Sequence, residues 1–374
     1  MRPLYASVAN TNLAFDGTGN AGLWYDKFCN EWREGWTLAS TGDKSPKLSW
    51  IETVAGRKPV GDSGLLSEAV ARLHQLTRAR CGLHGIFTTD GRFVTGLGRN
   101  HPVENGFAWH PTLGVPYLPG SSIKGLVRAW AKHDASPRVP DRELEHLFGA
   151  ADAPRSAGRV VFLDAIPISP VRLEADVMTP HYAGWTPEAL PGDWREPVPV
   201  PFLVVAPRST FFFSLLPRGV ERSELESVFH WLREALRLSG AGAKTAVGYG
   251  RFAYDEPQTR AHDDAIAAAR AARAAAARRA RLQGTAEGRW LDAVEGKAEH
   301  VVLDLVRRHL DKERLADPAD RRGFARVVAA TPYLARWRRG ETQDRQHIKD
   351  SPARLKERAK LIDDAASEGD PDPR

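Results

Sequence analysis

Only two cysteines, Cys29 and Cys81, occur in 374 residues, and they stand far apart. That excludes a disulfide framework and a Cys-x-x-Cys metal site; both read most simply as small buried hydrophobes. No apolar run approaches the roughly 20 residues that cross a bilayer. The opening stretch MRPLYASVANTNLAFDG lacks the apolar core of a signal peptide, so the expected compartment is the cytoplasm, with no membrane partner. His84, His101, His110, His133 and His181 form neither HExxH nor another paired metal spacing, and no GxSxG or Cys–His nucleophile occurs. No internal repeat is present, and no cofactor is implied. Neither sign of charge dominates: 53 Lys+Arg face 47 Asp+Glu, a formal net charge of +6. That excess suits a polyanionic partner without demonstrating one.

What is present is ordinary globular composition, 27% charged and 42% hydrophobic, in a chain long enough for one large domain with additions or for two domains. Leu23, Trp24, Phe28 and Trp32 recur at helical spacing, predicting a helix near Ala21–Glu34. A polar stretch, Thr41–Gly64, precedes a helix over Gly64–Arg80 with Leu66, Val70, Leu73 and Leu76 along one side, capped by Asp62 or Ser63. Gly85–Thr88 and Arg92–Thr95 are β-prone around the turn Thr89-Asp90-Gly91, predicting a hairpin or an interrupted strand. GLGRNHPVENGFAWHPTLGVPYLPG is too rich in glycine and proline for regular structure. A helix opens at SSIKGLVRAWAKH, with Ser121 or Ser122 placed to cap it, and a short one follows over Asp141–Phe148.

Arg159–Ile166 and Val171–Val177 read as strands joined by a turn, and Met178–Val200 as an inserted loop or hairpin. Phe202–Val205 and Thr210–Leu216 are strand-like, Arg222–Leu238 is an amphipathic helix, and a glycine-rich loop, Gly240–Gly250, leads to a last strand, Tyr249–Tyr254. The order strand, helix, strand, strand, helix, strand predicts an α+β fold with a ferredoxin-like core over about 84–254, behind a helical segment over 1–83. That topology includes the RNA-recognition motif, although fold alone does not establish function. Beyond residue 254 alanine and arginine dominate. Arg260–Arg289 holds seven arginines and three acidic residues, predicting a long exposed helix. Further helices are expected near Val301–Lys312, Phe324–Arg336 and Pro352–Asp364, with a disordered SEGDPDPR end.

Two segments have chemistry suited to phosphate. In PYLPGSSIKGLVR a rigid loop delivers the chain to a helix N-terminus, where free N–H groups favour an anion. Gly120 allows close approach of another backbone; Ser121, Ser122 and Lys124 add donors, and Lys124 and Arg128 share one helical face. A capped helix with two solvated cations accounts for the same residues equally well. In SGAGAKTAVGYGRF glycines surround Lys244, as in a P-loop. The residue before Lys244 is Ala243, however, and the loop runs from helix to strand, so ATP binding is not expected. Backbone N–H groups meeting a polyanion, or a tight connection needing glycine conformations, both remain open. His101 lies in a loop with Glu104 and Asn105, where acid–base cleavage of RNA is conceivable but a contacting role is the simpler reading.

The two motifs, in this order, resemble the RAMP superfamily of CRISPR proteins, and within it the sixth-subunit family of type III-B effector complexes. The resemblance extends through NAGLWYDK near the start, Gly96-Leu97-Gly98, Glu104-Asn105-Gly106 and His110-Pro111, over roughly residues 1–254. It implies a RAMP domain over 1–254 and a helical extension over 255–374 that the family pattern does not cover. It further implies a non-catalytic subunit that binds CRISPR RNA, caps the filament of backbone subunits near the guide 3′ end and helps target RNA pair, alongside other RAMP subunits. Such proteins grip backbone and shape while base pairing reads sequence. A protruding hairpin interrupts the duplex in such filaments, and Met178–Val200 is the candidate here. The RNA-binding residues implied are Arg99, His101, Asn105, Gly120, Ser121, Ser122, Lys124, Arg128, Gly242, Lys244, Thr245, Tyr249 and Arg251. The superfamily's cleaving subunit uses an aspartate in its first loop; Gly98–Pro116 has no Asp and only Glu104. The alternatives are a CRISPR RNA-processing endonuclease using His101 or His110, and a scaffold that never touches RNA, for which 11 tryptophans suit interfaces.

Overall fold

A computed structural model describes residues 15, 17, 19–33, 35, 37, 38, 45–56, 58–150, 157–180, 198–312 and 315–368. The chain forms two compact units, Met1–Asp263 and Asp264–Arg374. The first begins with α1 (Ala21–Lys27), α2 (Pro46–Ile51) and α3 (Ser63–Ala79). Three readings need correction here. α1 ends at Lys27 rather than near Glu34, because Asn20 caps its start and the stacked rings of Trp24 and Phe28 already close its apolar face. α2 arises inside a stretch read as loop, with Trp50 and Ile51 fully buried. α3 is capped by Asp62, whose carboxylate accepts from Leu65 N–H at 2.8 Å, but Leu76 faces solvent while His74 and Thr77 turn inward.

β1 (Leu83–Thr89) follows, then α4 (Gly120–His133), α5 (Asp141–Phe148), β2 (Val160–Phe162), β3 (Ile166–Pro167), β4 (Leu173–Met178), β5 (Val200–Val205), β6 (Thr210–Pro217), α6 (Arg222–Leu238) and β7 (Phe252–Tyr254). The main sheet runs β2-β6-β1-β7, with β3 also on β6, and every pairing is antiparallel. Alternation of side chains across β6 separates two packing layers. Phe211, Phe213 and Leu215 enter the core that α4 and α6 cover, whereas Phe212 joins Ile86, Ala69 and Val70 beneath α3. Phe87, Phe93, Phe211, Phe213 and Phe252 meet edge to face, a geometry that adds about 0.5–1.5 kcal/mol per pair beyond burial. α6 starts with a capping box between Glu221 and Glu224.

β4 and β5 form a separate antiparallel pair, with Leu173 opposite Val205. The strands read at Arg159–Ile166 and Val171–Val177 therefore do not pair with each other; β2 and β3 join β6 instead. Arg92–Thr95 forms no hairpin with β1 and makes a single bridge, Phe93 to Val205. Of the proposed inserted hairpin Met178–Val200, residues 181–197 lie outside the described residues, as do residues 369–374 of the end read as disordered.

α7 (Glu256–Leu282) is mostly exposed along its Ala/Arg surface. The second unit continues with α8 (Ala286–Val294), α9 (Glu299–Val306) running into a π-helical stretch at Arg307–Lys312, α10 (Pro318–Ala329), α11 (Pro332–Arg339) and α12 (Pro352–Ser367). The long helix read over Arg260–Arg289 breaks at Gly284, and Thr285 caps α8. Likewise the helix read over Phe324–Arg336 is two, separated at Thr331-Pro332. These helices bury a core of their own, with Val302, Leu303, Phe324, Val328, Trp337, Leu355 and Ile362 at its centre. Trp337 Nε1 donates to the buried Glu299 carboxylate at 2.8 Å.

Candidate nucleic-acid interface

α4 starts one residue earlier than Ser121, which decides its chemistry. Pro119 is the N-cap and neither serine caps the helix; both occupy its exposed first turn. The Gly120 N–H donates to Asp164 Oδ1 at 2.7 Å, and the Ser122 and Ile123 N–H groups donate to the Pro119 carbonyl. A carboxylate from the β2–β3 turn thus already holds part of the positive end of the helix. A Cβ on Gly120 would lie 2.2 Å from the Phe162 carbonyl oxygen, so the close approach this glycine permits is to the chain's own backbone. Ile123, Val127 and Ala131 face the core, and this leaves Lys124 and Arg128 on the open side, half-buried. Among the described residues neither has an ion-pair partner.

The glycine-rich loop is placed against the segment 92–94. The Ala243 N–H donates to the Val94 carbonyl and the Gly250 N–H to the Arg92 carbonyl, at 2.9 and 2.8 Å. Gly242 has φ +87, and a Cβ there would sit 2.2 Å from the Val94 carbonyl oxygen, so an L side chain is excluded on both grounds. Lys244 is itself left-handed, φ 59, and precedes a 3-10 turn beginning at Thr245. Its Nζ lies 5.4 Å over the Phe202 ring and 3.9 Å from Met178 Sδ. The Tyr249 hydroxyl donates to Asp176 Oδ2 at 2.5 Å, and Arg92 pairs with Asp176 and Glu174 at 3.0 Å each. Burial, together with that carboxylate, pushes the Tyr249 phenol up to about 12. Arg251 is half-buried, with one guanidinium nitrogen buried and without a hydrogen-bond partner.

In the long loop, Arg99 is exposed. The His101 side chain is 3% exposed. Its Nε2 faces the Tyr25 carbonyl at 3.0 Å, its Nδ1 accepts from the Val103 N–H at 3.2 Å, and its ring stacks on Tyr25 at 4.4 Å. Burial holds its pKa below the usual imidazole range. With both nitrogens engaged, the ring is a bracket between α1 and the loop. Asn105 is half-buried with its amide nitrogen unpartnered, and Glu104 pairs with Lys47. His110 is likewise engaged, Nδ1 accepting from Leu113 N–H. His133 is exposed, and His181 lies outside the described residues. Cys29 is buried as expected, but Cys81 is exposed, with φ 53, on the turn between α3 and β1.

The fold thus gathers Gly242, Lys244, Thr245, Tyr249 and Arg251 at one loop and Gly120, Ser121, Ser122, Lys124 and Arg128 at another. Among the described residues no hydrogen bond or ion pair joins Lys124 or Arg128 to the glycine-rich loop. Asp164, Glu174, Asp176, Arg92 and Phe202 escaped the sequence reading. The alternating Glu174 and Asp176 of β4 were the available signal, since residues two apart share a strand face.

The family model of the RAMP superfamily matches residues 86–253, entirely within the first unit. The Cmr6 subunit of the CRISPR Cmr system of Pyrococcus furiosus is 32% identical, the match covering 45% of this chain and 66% of that protein. Over residues 86–253 the chain is similar to the RAMP superfamily. The Cmr6 subunit of Saccharolobus solfataricus is 29% identical, over 47% of this chain and 55% of its own length, so the chain spans less than two thirds of these relatives. Among solved structures, a type III-B Cmr-beta complex bound to cognate target RNA contains a chain of 26% identity and TM-score 0.46, over 56% of this chain and 71% of that one. The crystal structure of Pyrococcus furiosus Cmr6 has 29% identity and TM-score 0.33, over 46% and 97%. No helix among the described residues of this chain is long and apolar enough to cross a membrane.

Proposed function

We propose that this chain is a guide-RNA-binding, non-catalytic subunit of a type III-B effector in the cytoplasm. It holds CRISPR RNA by its backbone near the guide 3′ end, beside other RAMP subunits, while target RNA pairs with the guide. The observation that carries the reading is the pair Lys124 and Arg128 on the open face of α4, without an ion-pair partner among the described residues, at the RAMP-like helix motif of a chain 32% identical to a Cmr6 subunit. Two such cations are placed to neutralise phosphates, whereas Arg92 is already paired. A ferredoxin-like core is part of this proposal. Its support is the antiparallel order β2-β6-β1-β7, with α4 between β1 and β2 and α6 between β6 and β7. The RAMP domain is taken as 1–254 and the helical extension as 255–374.

Against acid–base cleavage stands the engagement of both His101 nitrogens, with the Tyr25 carbonyl and the Val103 N–H, and of His110 Nδ1. The test is affinity purification of the full chain from its native cells, with sequencing of bound RNA and identification of co-purifying proteins. Discrete spacer-bearing RNAs together with related subunits are expected. A lone chain free of RNA would overturn the proposal, and cleavage of precursor RNA abolished by His101→Ala would replace it with the endonuclease reading.

A further inference from the structure

Three imidazoles and a carboxylate collect where α3, β1 and the first turns of α7 meet, all within the first unit. His74 on α3 and His84 on β1 direct Nε2 at the same atom, Asp263 Oδ1, at 2.9 and 2.8 Å. Their side chains are 3% and 12% exposed, and their rings meet edge-on at 4.7 Å. His262 brings a third ring 6.0 Å from His74, and its Nε2 is buried with no hydrogen-bond partner. Packing and hydrogen bonding account for one histidine on Asp263. They do not account for three adjacent imidazoles, one with an orphaned nitrogen, because a buried polar group without a partner is unfavourable.

We propose that His74, His84 and Asp263 are the ligands of one divalent transition-metal cation of the zinc type, with a water in the remaining position and His262 packed beside them. The donor set decides the class: imidazole nitrogens with a single carboxylate suit zinc, cobalt or nickel and disfavour magnesium and calcium, which take oxygen. The three ligand atoms lie within 4.8 Å of one another. Bonds of about 2.0–2.2 Å in a tetrahedral site place ligand atoms about 3.3–3.6 Å apart, so the observed pairs need open by only several tenths of an ångström. The cation would fasten the root of α7 to β1 and α3, a neighbouring pair from which sequence keeps α7 far apart.

A second group, His300, Asp344 and His347, serves as the internal control. There each histidine takes a different Asp344 oxygen, and the His347 side chain is 52% exposed. The experiment titrates the chelator-stripped full chain with cobalt(II) and zinc(II). One equivalent of cobalt is expected, giving the visible bands of a four-coordinate nitrogen–oxygen site without thiolate charge transfer, and zinc raises the unfolding temperature. Asp263→Asn and His84→Gln lose the equivalent, and His347→Gln keeps it. Circular dichroism of the metal-free variants separates a lost site from a lost fold, and the wild-type cobalt spectrum stands without any variant. Absence of stoichiometric binding, a thiolate band, or binding that survives both Asp263→Asn and His84→Gln overturns the assignment.

Discussion

The two loops that carry the RAMP motifs look alike in sequence, each a lysine among small residues, yet the fold treats them differently. At α4 the acidic group, Asp164, is spent on the Gly120 amide, and among the described residues Lys124 and Arg128 have no counterion. At the glycine-rich loop and the segment facing it, Lys244 and Arg92 are already engaged. Lys244 lies over Phe202, and Arg92 is held by Glu174 and Asp176, the latter also gripping Tyr249. The lesson is that a count of basic residues misjudges an electrostatic surface. What matters for a polyanion is the charge left after internal pairing, because a paired cation must first be detached.

The largest expected effect separates geometry from charge. Gly242→Val forces a Cβ to within 2.2 Å of the Val94 carbonyl at φ +87 and should lower stability by about 3 kcal/mol or more, seen in thermal unfolding with or without RNA. Next, His101→Ala removes a stacked ring that bonds through both nitrogens and should lower stability by about 2–4 kcal/mol, while the salt dependence of RNA binding stays unchanged. A lost salt slope would show that His101 does reach RNA. The same residue sets an acid limit. Burial lowers its folded pKa, although the Tyr25 carbonyl pulls the other way, so its contribution is present above the ordinary imidazole range and is lost as pH falls through the folded value. Unfolding measured from neutral to mildly acidic pH should show that loss, and His101→Gln should flatten it.

Sharpening the comparison itself, the double variant Lys124→Ala with Arg128→Ala should weaken RNA binding about tenfold and reduce the salt slope by about 1.4, at roughly 0.7 per single-strand phosphate contact. Lys244→Ala should do less, about 0.5–1 kcal/mol; if it matches the double variant, the contrast between the loops fails. Asp176→Asn should bring the Tyr249 phenol down from about 12. A raised phenol pKa means stability present below the unfolded value and lost as pH rises through the folded one, so this variant narrows the alkaline loss. Ultraviolet titration of phenolate absorbance checks it.

The elements with strong local signals were legible without coordinates. Asp141–Phe148 and Arg222–Leu238 form as read, because apolar spacing, prolines and a capping Glu221 define them within their own few residues. α2 was missed because six residues carry too little periodicity to announce a helix that Trp50 anchors by burial and by donating its indole N–H to the distant Tyr25 carbonyl. The partners of β2, β3 and β4 were not legible either, since strand pairing is chosen by what remains uncovered after the whole sheet has assembled. Of the site, the residue types and both motifs were visible, but the state of each side chain was not. Nothing in the order of residues says that His101 is sealed against Tyr25.

By itself the sequence determined much of the alternation of strands and helices, the resemblance carried by two short motifs and the Ala/Arg-rich character of the C-terminal helices, because these rest on periodicity and on short contiguous motifs. Only the tertiary structure decided which charges are spent internally. Asp176 lies 73 positions from Tyr249, and Asp263 lies 179 positions from His84. The tertiary structure likewise decided that the C-terminal residues bury a core around Phe324 and Trp337. Electrostatic and packing free energies depend on distance in space, and separation along the chain leaves that distance open.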